Sequence, residues 1–362
     1  MPDFSVPDLS GLRRFPDLEA ENLHAVDATD RLLVEHATAA PTSIIGDHYG
    51  ALTLGTIAAG ATDVRVFQDP LVGERALANN IGAGYSSLPL SQRLLENATV
   101  VLMQLPKSLG ELDEFSEAIT RWAPPDVVLY AGGRVKHMTV EMNAVLGRHF
   151  GTVTASLARQ KSRVLFASGP KQSEASYPRR GFHDDLGLWV CAHGGVFAGT
   201  KVDIGTRFLL SVLSDAMPGA RVAIDLGCGS GIIAASLAAS RPGLRVIATD
   251  QSWAATESTR ATIEANGLAD RVATVRDLGL ESQPDASADL VVLNPPFHNG
   301  TAVQTGLAAG LFADARRVLM PGGELWTVFN SSLAYRPALE RIVGRTREVA
   351  RNAKFTVTAS RV

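Results

Sequence analysis

The chain predicts an α/β protein of two tandem Rossmann-like domains, each a doubly wound, mostly parallel sheet. Three observations carry that expectation. The 362 residues, 46% of them hydrophobic, suffice for two cores. Short apolar runs alternate with helical stretches along nearly the whole length, the pattern of βα units. The order of motifs in the second half recurs, weakened, in the first. The expected domains are 1–170 and 171–362, joined within the polar stretch 168–185, which carries Pro170, Pro178 and Gly181.

In the first half, Ser43-Ile44-Ile45 reads as a strand leading into the turn Gly46-Asp47-His48-Tyr49-Gly50. Val64–Phe67 is a second strand, ending at Asp69, and a helix follows that ends Ala78-Asn79-Asn80. Val100–Leu105 is a third, stopped by Pro106-Lys107. Gly151–Ser156 closes the half. The second half is clearer. Arg221–Ile224 is a strand, followed by the turn Asp225-Leu226-Gly227-Cys228-Gly229-Ser230-Gly231 and a small-residue helix from Ile232 to about Ser240. Arg245–Thr249 is a strand ending at Asp250; a helix covers about Trp253–Asn266, with Gly267 as its stop. Val272–Val275 ends near Asp277. Leu290–Leu293 is an unbroken apolar run, as in a strand buried on both faces. A helix from about Gly306 to Leu319, a turn Met320–Gly323, a strand Glu324–Phe329 and a closing Phe355–Ser360 complete the plan. Ligands of such sheets bind at the carboxyl ends of the strands, where Asp225, Asp250, Asp277 and Asn294 fall.

Composition narrows the function classes. Two cysteines, Cys191 and Cys228, make neither a disulfide framework nor a zinc cluster, so no metal and a reduced, cytoplasmic setting are expected. No apolar run approaches the ~18 residues of a membrane helix, and the start lacks a secretion signal. The net charge of −3 is unevenly spread. Residues 1–133 hold 8 basic against 18 acidic residues, 134–180 hold 9 against 2, and 336–361 hold 7 against 2. Two basic blocks on an acidic chain suit a local phosphate-binding face; solvated helix and strand ends explain them equally well.

The glycine-rich turn lets the backbone take φ > 0 and lets a ligand approach a helix N-terminus. Its spacing, Gly227-x-Gly229-x-Gly231, is one residue short of the dinucleotide fingerprint and suits S-adenosylmethionine better. In that reading Asp225 lies near the methionine ammonium, Asp250 accepts from the ribose hydroxyls and Asp277 from the adenine amine. A helix N-cap is the alternative for Asp250, and a turn residue for Asp277. Cys228 reads as a packing residue.

Asn294-Pro295-Pro296-Phe297-His298 ends the fourth strand. A base-linked amine is a weak nucleophile because its lone pair is delocalised into the ring. The Asn294 side-chain oxygen and the Pro295 carbonyl can accept its N–H groups, and the prolines hold both acceptors without a competing donor. Phe297 offers a ring for a flat base, and His298 lines the site. The alternative is a proline-terminated strand with a core phenylalanine. The earlier counterpart, Gln104-Leu105-Pro106-Lys107, lacks the asparagine, the second proline and the ring. The first domain is therefore expected neither to hold cofactor nor to transfer methyl, but to grip RNA, with Lys107 as a phosphate contact.

These motifs resemble those of bacterial ribosomal RNA guanine-N2 methyltransferases. Asn294–Gly300 looks like their NPPFH(D/N)G motif. Gly195-Val196-Phe197 with Val202-Asp203-Ile204-Gly205-Thr206-Arg207-Phe208-Leu209-Leu210 is similar to the segment before their glycine turn, and Leu18–Asp30 to the start of the large-subunit enzymes. One departure is Ala198, where that family usually has serine. The resemblance implies a class I methyltransferase fold, a degenerate first domain, action on ribosomal RNA, and Phe197, Asp203 and Thr206 bordering the cofactor pocket; the chain is expected to be a monomer. Two further readings stay open: an N5-glutamine methyltransferase acting on a protein, and a non-catalytic ribosome-assembly RNA binder.

Overall fold

The computed structural model describes residues 7–295 and 302–362, with the backbone alone for 302–305. The chain divides into two compact units, Met1–Tyr177 and Pro178–Val362.

In the first unit the strands are β1 (Thr42–Ile45), β2 (Val64–Phe67), β3 (Ser86–Ser87), β4 (Val100–Gln104), β5 (Val128–Arg134), β6 (Phe150–Ala155) and β7 (Ser162–Pro170). They form one sheet of order β3-β2-β1-β4-β5-β7-β6. The first five run parallel; β7 is antiparallel to both β5 and β6. The helices are α1 (Ala28–Val34), α2 (Ala51–Ala58), α3 (Leu71–Ile81), α4 (Gln92–Leu95), α5 (Leu109–Trp122) and α6 (Val140–His149). Beyond β7 the chain is strapped to α5. The Ser176 N–H donates to Glu117 Oε1 (2.9 Å), and the Tyr177 hydroxyl donates to the Gly110 carbonyl (3.0 Å) and Asp113 (3.1 Å).

The second unit opens with a hairpin, β8 (Arg179–His183) and β9 (Leu188–Ala192). Its sheet holds β10 (Val222–Leu226), β11 (Arg245–Asp250), β12 (Val272–Arg276), β13 (Ala288–Leu293), β14 (Leu319–Asn330), β15 (Arg345–Arg351) and β16 (Phe355–Arg361), in the order β12-β11-β10-β13-β14-β16-β15. The helices are α7 (Ile204–Leu210), α8 (Ile232–Ser240), α9 (Trp253–Ala265), α10 (Ala302–Val318) and α11 (Arg336–Ile342). Both sheets are mixed, and position by position their strand orders agree.

Local chemistry explains the elements that place the site. Leu290, Val291, Val292 and Leu293 of β13 are fully buried, so this run cores both faces of the sheet. Each such side chain contributes about 1.5–3 kcal/mol. Small residues let α8 lie close: Ala234, Ala235 and Ala238 are fully buried in the core between it and the sheet. Ser252 caps α9 by accepting from the Ala255 N–H (3.1 Å), and Gly267 follows its end at φ +65°. The expected turn Met320–Gly323 lies inside β14 as an irregularity. Ala288 faces Leu319 and Leu290 faces Glu324, so residues 320–323 loop out while the strand continues. The polar join 168–185 contains the end of β7 and all of β8. Among the described residues no helix is long and apolar enough to cross a membrane, and no cluster of His, Cys, Asp or Glu could hold a metal ion.

Candidate active site

The glycine turn joins β10 to α8. Gly227, Gly229 and Gly231 have φ of +74°, +55° and +78°, which side chains with a Cβ adopt only under strain. Their surroundings differ. A Cβ on Gly227 or Gly229 would meet nothing within 4 Å, whereas one on Gly231 would lie 3.0 Å from Thr259 of α9. Two glycines thus face open space and the third allows close packing. The Thr259 hydroxyl donates to the Gly229 carbonyl (3.0 Å) and to Cys228 Sγ (3.2 Å). Cys228 is buried, and burial pushes its thiol well up.

The acids sit on adjacent strand ends. Asp225 is fully buried. Its Oδ2 accepts from the Ala234 N–H (2.9 Å), while Oδ1 has no partner among the described residues. Burial raises its pKa to about 7, with the Asp250 carboxylate adding to the rise. Asp250, half-buried, accepts from the Gly229 N–H (3.2 Å) and the Ser252 N–H (3.0 Å), so it ties the turn to the start of α9. Asp277 follows β12 and is buried; its Oδ2 accepts from the Ser282 N–H (3.0 Å) and hydroxyl (2.7 Å), closing the turn after the strand.

Asn294 follows β13, whose Leu293 pairs with Leu226 of β10 and Thr327 of β14. Its amide Nδ2 donates to Thr206 Oγ1 (2.9 Å). Its Oδ1 is buried and has no partner among the described residues. One amide N–H is thus committed to Thr206, while the oxygen accepts from no described residue. Pro295 is buried; Pro296, Phe297, His298, Asn299 and Gly300 lie outside the described residues. Thr206 belongs to α7, where Asp203 is the N-cap, accepting from Gly205 (2.9 Å) and Thr206 (3.3 Å). Phe197 is 68% exposed, in a loop where Ala198 and Gly199 both have positive φ. Sequence reasoning named Thr206 and Asn294 but not their contact, which spans 88 positions. It missed Ser252, for which the serine-before-helix signal was present, and Thr259, for which no local signal exists.

The matching positions of the first unit are closed. Asp47, in the turn after β1, is 1% exposed and satisfied on both oxygens: Oδ1 accepts from Leu52 N–H (2.7 Å), Oδ2 from Thr53 N–H (2.8 Å) and the Thr53 hydroxyl. Burial raises its pKa to about 6. Gln104, at the end of β4, donates to Asp30 of α1 (2.5 Å). The segment before α1 lies on this turn. Tyr49 donates to Asp17, the Arg14 guanidinium sits 4.7 Å over the Tyr49 ring, and Asn80 bridges the Arg13 and Tyr49 carbonyls (2.8 Å each). Lys107 is exposed.

The family described as Methyltransferase small domain matches residues 187–359, and the one described as RLMG N-terminal domain matches residues 1–171. The first unit thus answers to a family description of its own, which qualifies the expectation of two tandem methyltransferase domains. The chain is 35% identical to the ribosomal RNA large subunit methyltransferase G of Streptomyces avermitilis, covering 96% of this chain and 95% of that one. It belongs to the ribosomal RNA large subunit methyltransferase G family. The member from Ectopseudomonas mendocina is 36% identical, over 99% of both chains. Among solved structures, a 16S rRNA N2 methyltransferase of T. thermophilus, in complex with AdoMet and guanosine, superposes with a TM-score of 0.75 at 22% identity, covering 97% of this chain and 93% of that one. This member of the large subunit methyltransferase G family therefore has the α/β methyltransferase fold, with mixed sheets.

Proposed function

We propose that the chain transfers a methyl group from S-adenosylmethionine to the exocyclic N2 of a guanine in ribosomal RNA. The observation that carries this reading is Asn294, whose buried amide oxygen has no partner among the described residues and which follows the strand paired with the one that leads into the open glycine turn. The cofactor fits the residues present. Gly227 and Gly229 leave room where any side chain would intrude, Gly231 packs the turn onto α9, and Asp225 holds a buried carboxyl oxygen that a ligand cation would satisfy. Asp250 is the acceptor for ribose hydroxyls and Asp277 borders the adenine, with Phe197, Asp203 and Thr206 on the rim. Bound S-adenosylmethionine supplies an electrophilic methyl carbon on a sulfonium sulfur.

The chain's own residues supply orientation. Asn294 Oδ1 and the Pro295 carbonyl accept the two N–H groups of the guanine amine and turn its lone pair toward the methyl carbon. N2 would bond to the methyl carbon as the carbon–sulfur bond of the sulfonium breaks, its electron pair leaving with a neutral thioether, and N2 would release a proton to solvent. No side chain forms a covalent bond, so positioning carries the catalysis. Thr206 is a positioning residue: by taking the Asn294 Nδ2–H it keeps the oxygen, rather than the nitrogen, free for the substrate. Pro296 and Phe297 complete the motif in this reading, Phe297 as a stacking face. The agreement of the two strand orders supports an origin by duplication. The satisfied Asp47 and the Gln104–Asp30 contact support a first unit that binds RNA or serves structure rather than holding cofactor.

The test is transfer of labelled methyl by the purified full chain to ribosomal RNA from a strain lacking it. Label recovered as N2-methylguanosine in RNA is the expected result. Label on a protein glutamine, or no transfer with RNA binding intact, would overturn it.

A further inference from the structure

The β8–β9 hairpin presents a feature the transfer reaction does not use. Phe182 and Trp189 face each other directly across the two strands, their ring centroids 5.1 Å apart and inclined by 54°. They remain 48% and 39% exposed. Arg180, one same-face position along β8, lays its guanidinium 4.8 Å from the Trp189 ring centroid and is itself exposed. The opposite face of β9 is buried core: Leu188, Val190 and Ala192 are 4%, 0% and 3% exposed. Two large rings are thus held out in water by a strand whose other face anchors it.

The hairpin is also fixed in place. Trp189 exchanges two backbone hydrogen bonds with the Asn266 side chain (3.0 and 2.7 Å), the Cys191 N–H donates to Thr262 Oγ1 (2.9 Å), and the His193 N–H donates to Ser258 Oγ (2.8 Å). These contacts step along α9 from its carboxyl end toward its start beside Asp250. At 1.5 Å per residue, the 13 residues of α9 put Trp189 roughly 20 Å from the candidate active site. The rings are too far away to hold the reacting base.

We infer that Phe182, Trp189 and Arg180 form a stacking platform for an unpaired nucleotide of the ribosomal RNA that flanks the target guanine. A base has an apolar face that matches an exposed ring pair, and a guanidinium held over a ring both extends that face and meets phosphate. Exposed rings with a cation on them fit a polyanion with flat bases better than an apolar protein surface, which would leave the Arg180 charge uncompensated. The inference rests on the reading of the substrate as RNA.

Binding of a fluorescein-labelled, unstructured oligoribonucleotide to the full chain, followed by anisotropy, tests it. Trp189→Ala and Phe182→Ala are each expected to weaken binding by about 5- to 150-fold, while Trp189→Phe retains most of the affinity. Arg180→Glu, at an exposed position with little risk to folding, should weaken binding and lower the salt dependence by about one phosphate contact, a slope change near 0.7. S-adenosylmethionine binding, measured by calorimetry, should stay unchanged in all four variants. Wild-type affinity and salt slope in Trp189→Ala and Arg180→Glu would overturn the platform. The two readings fail separately: wild-type KM for ribosomal RNA in Trp189→Ala, with methyl transfer intact, sinks the platform alone. Weakened oligonucleotide binding in the variants of a wild type that methylates no RNA sinks the substrate assignment, and with it the place beside a target guanine, and supports only the stacking of RNA on these rings.

Discussion

Thr206→Val removes one hydroxyl from a position that is 8% exposed and leaves the side chain's shape nearly unchanged. In the wild type that hydroxyl accepts from Asn294 Nδ2 at 2.9 Å. Without it the amide nitrogen is a buried donor in want of a partner. Rotating the amide by half a turn would then offer nitrogen, not oxygen, to the substrate amine. Leaving a buried polar group unpaired costs about 1–3 kcal/mol. If that energy now favours the wrong amide orientation, kcat falls by roughly 5- to 150-fold, at about 1.4 kcal/mol per tenfold. Thr206→Ser restores the acceptor and is expected within about threefold of wild type, since it keeps the hydrogen bond. Asn294→Ala removes the acceptor itself and should lose about 10²–10³ in kcat or more, as loss of one preorganised polar group does, with S-adenosylmethionine still bound. The assay is steady-state transfer of labelled methyl to ribosomal RNA, with calorimetry for the cofactor. The expected signature is a kcat loss with the KM for cofactor within about twofold, a transition-state effect. Equal kcat in Thr206→Val and wild type, or a serine variant as impaired as the valine one, would refute the positioning role. Full activity in Asn294→Ala would refute the whole scheme.

Asp225 carries a pH signature. Its folded pKa is raised to about 7 from 3.8, so the proton is held more tightly when folded. Its contribution to stability is complete below about pH 4 and is lost as pH rises through about 7. Asp225→Asn should therefore melt higher than wild type at pH 8, by differential scanning fluorimetry without cofactor, while binding S-adenosylmethionine more weakly; a lower melting point at pH 8 would contradict this. Gly231→Ala should destabilise the fold, because φ of +78° and a Cβ at 3.0 Å from Thr259 act together, with the left-handed backbone alone costing about 1–2 kcal/mol. Gly229→Ala carries the same backbone strain but points into open space. It should lose more cofactor affinity, read by calorimetry, than melting temperature. Reversing two or more charges within 134–180 should weaken RNA binding and flatten its salt dependence; an unchanged slope would remove that block from the interface.

The parts legible in sequence are those where residue identity and local order suffice. Gly227, Gly229 and Gly231 announce a positive-φ turn because few other residues adopt it, and β13 announces itself by an apolar run. What stayed hidden depends on contacts between distant segments. The Thr206–Asn294 bond forms only when α7 folds against the end of β13. Asp277 reads from sequence either as a ligand-facing carboxylate or as a turn residue, and the contact of its Oδ2 with Ser282, five residues on, is set by how the turn closes. The hairpin strand Arg179–His183 was lost in a polar join because it lacks an apolar alternation, its inner face being completed by a glycine. Met320–Gly323 reads as a turn from composition, but pairing on either side with β13 makes it an outward loop in a continuing strand.

The saturated carboxylate of Asp47 has a consequence for inheritance. Two sheets of the same strand order do not by themselves give the molecule a second copy of a binding loop. In the first unit the Asp47 carboxylate is committed to helix α2, and freeing it would mean breaking two backbone contacts and a hydroxyl bond at once. On the proposed reading, a lesion at Gly229 therefore has no vacant counterpart in the turn after β1, where Asp47 is already engaged by Leu52 and Thr53.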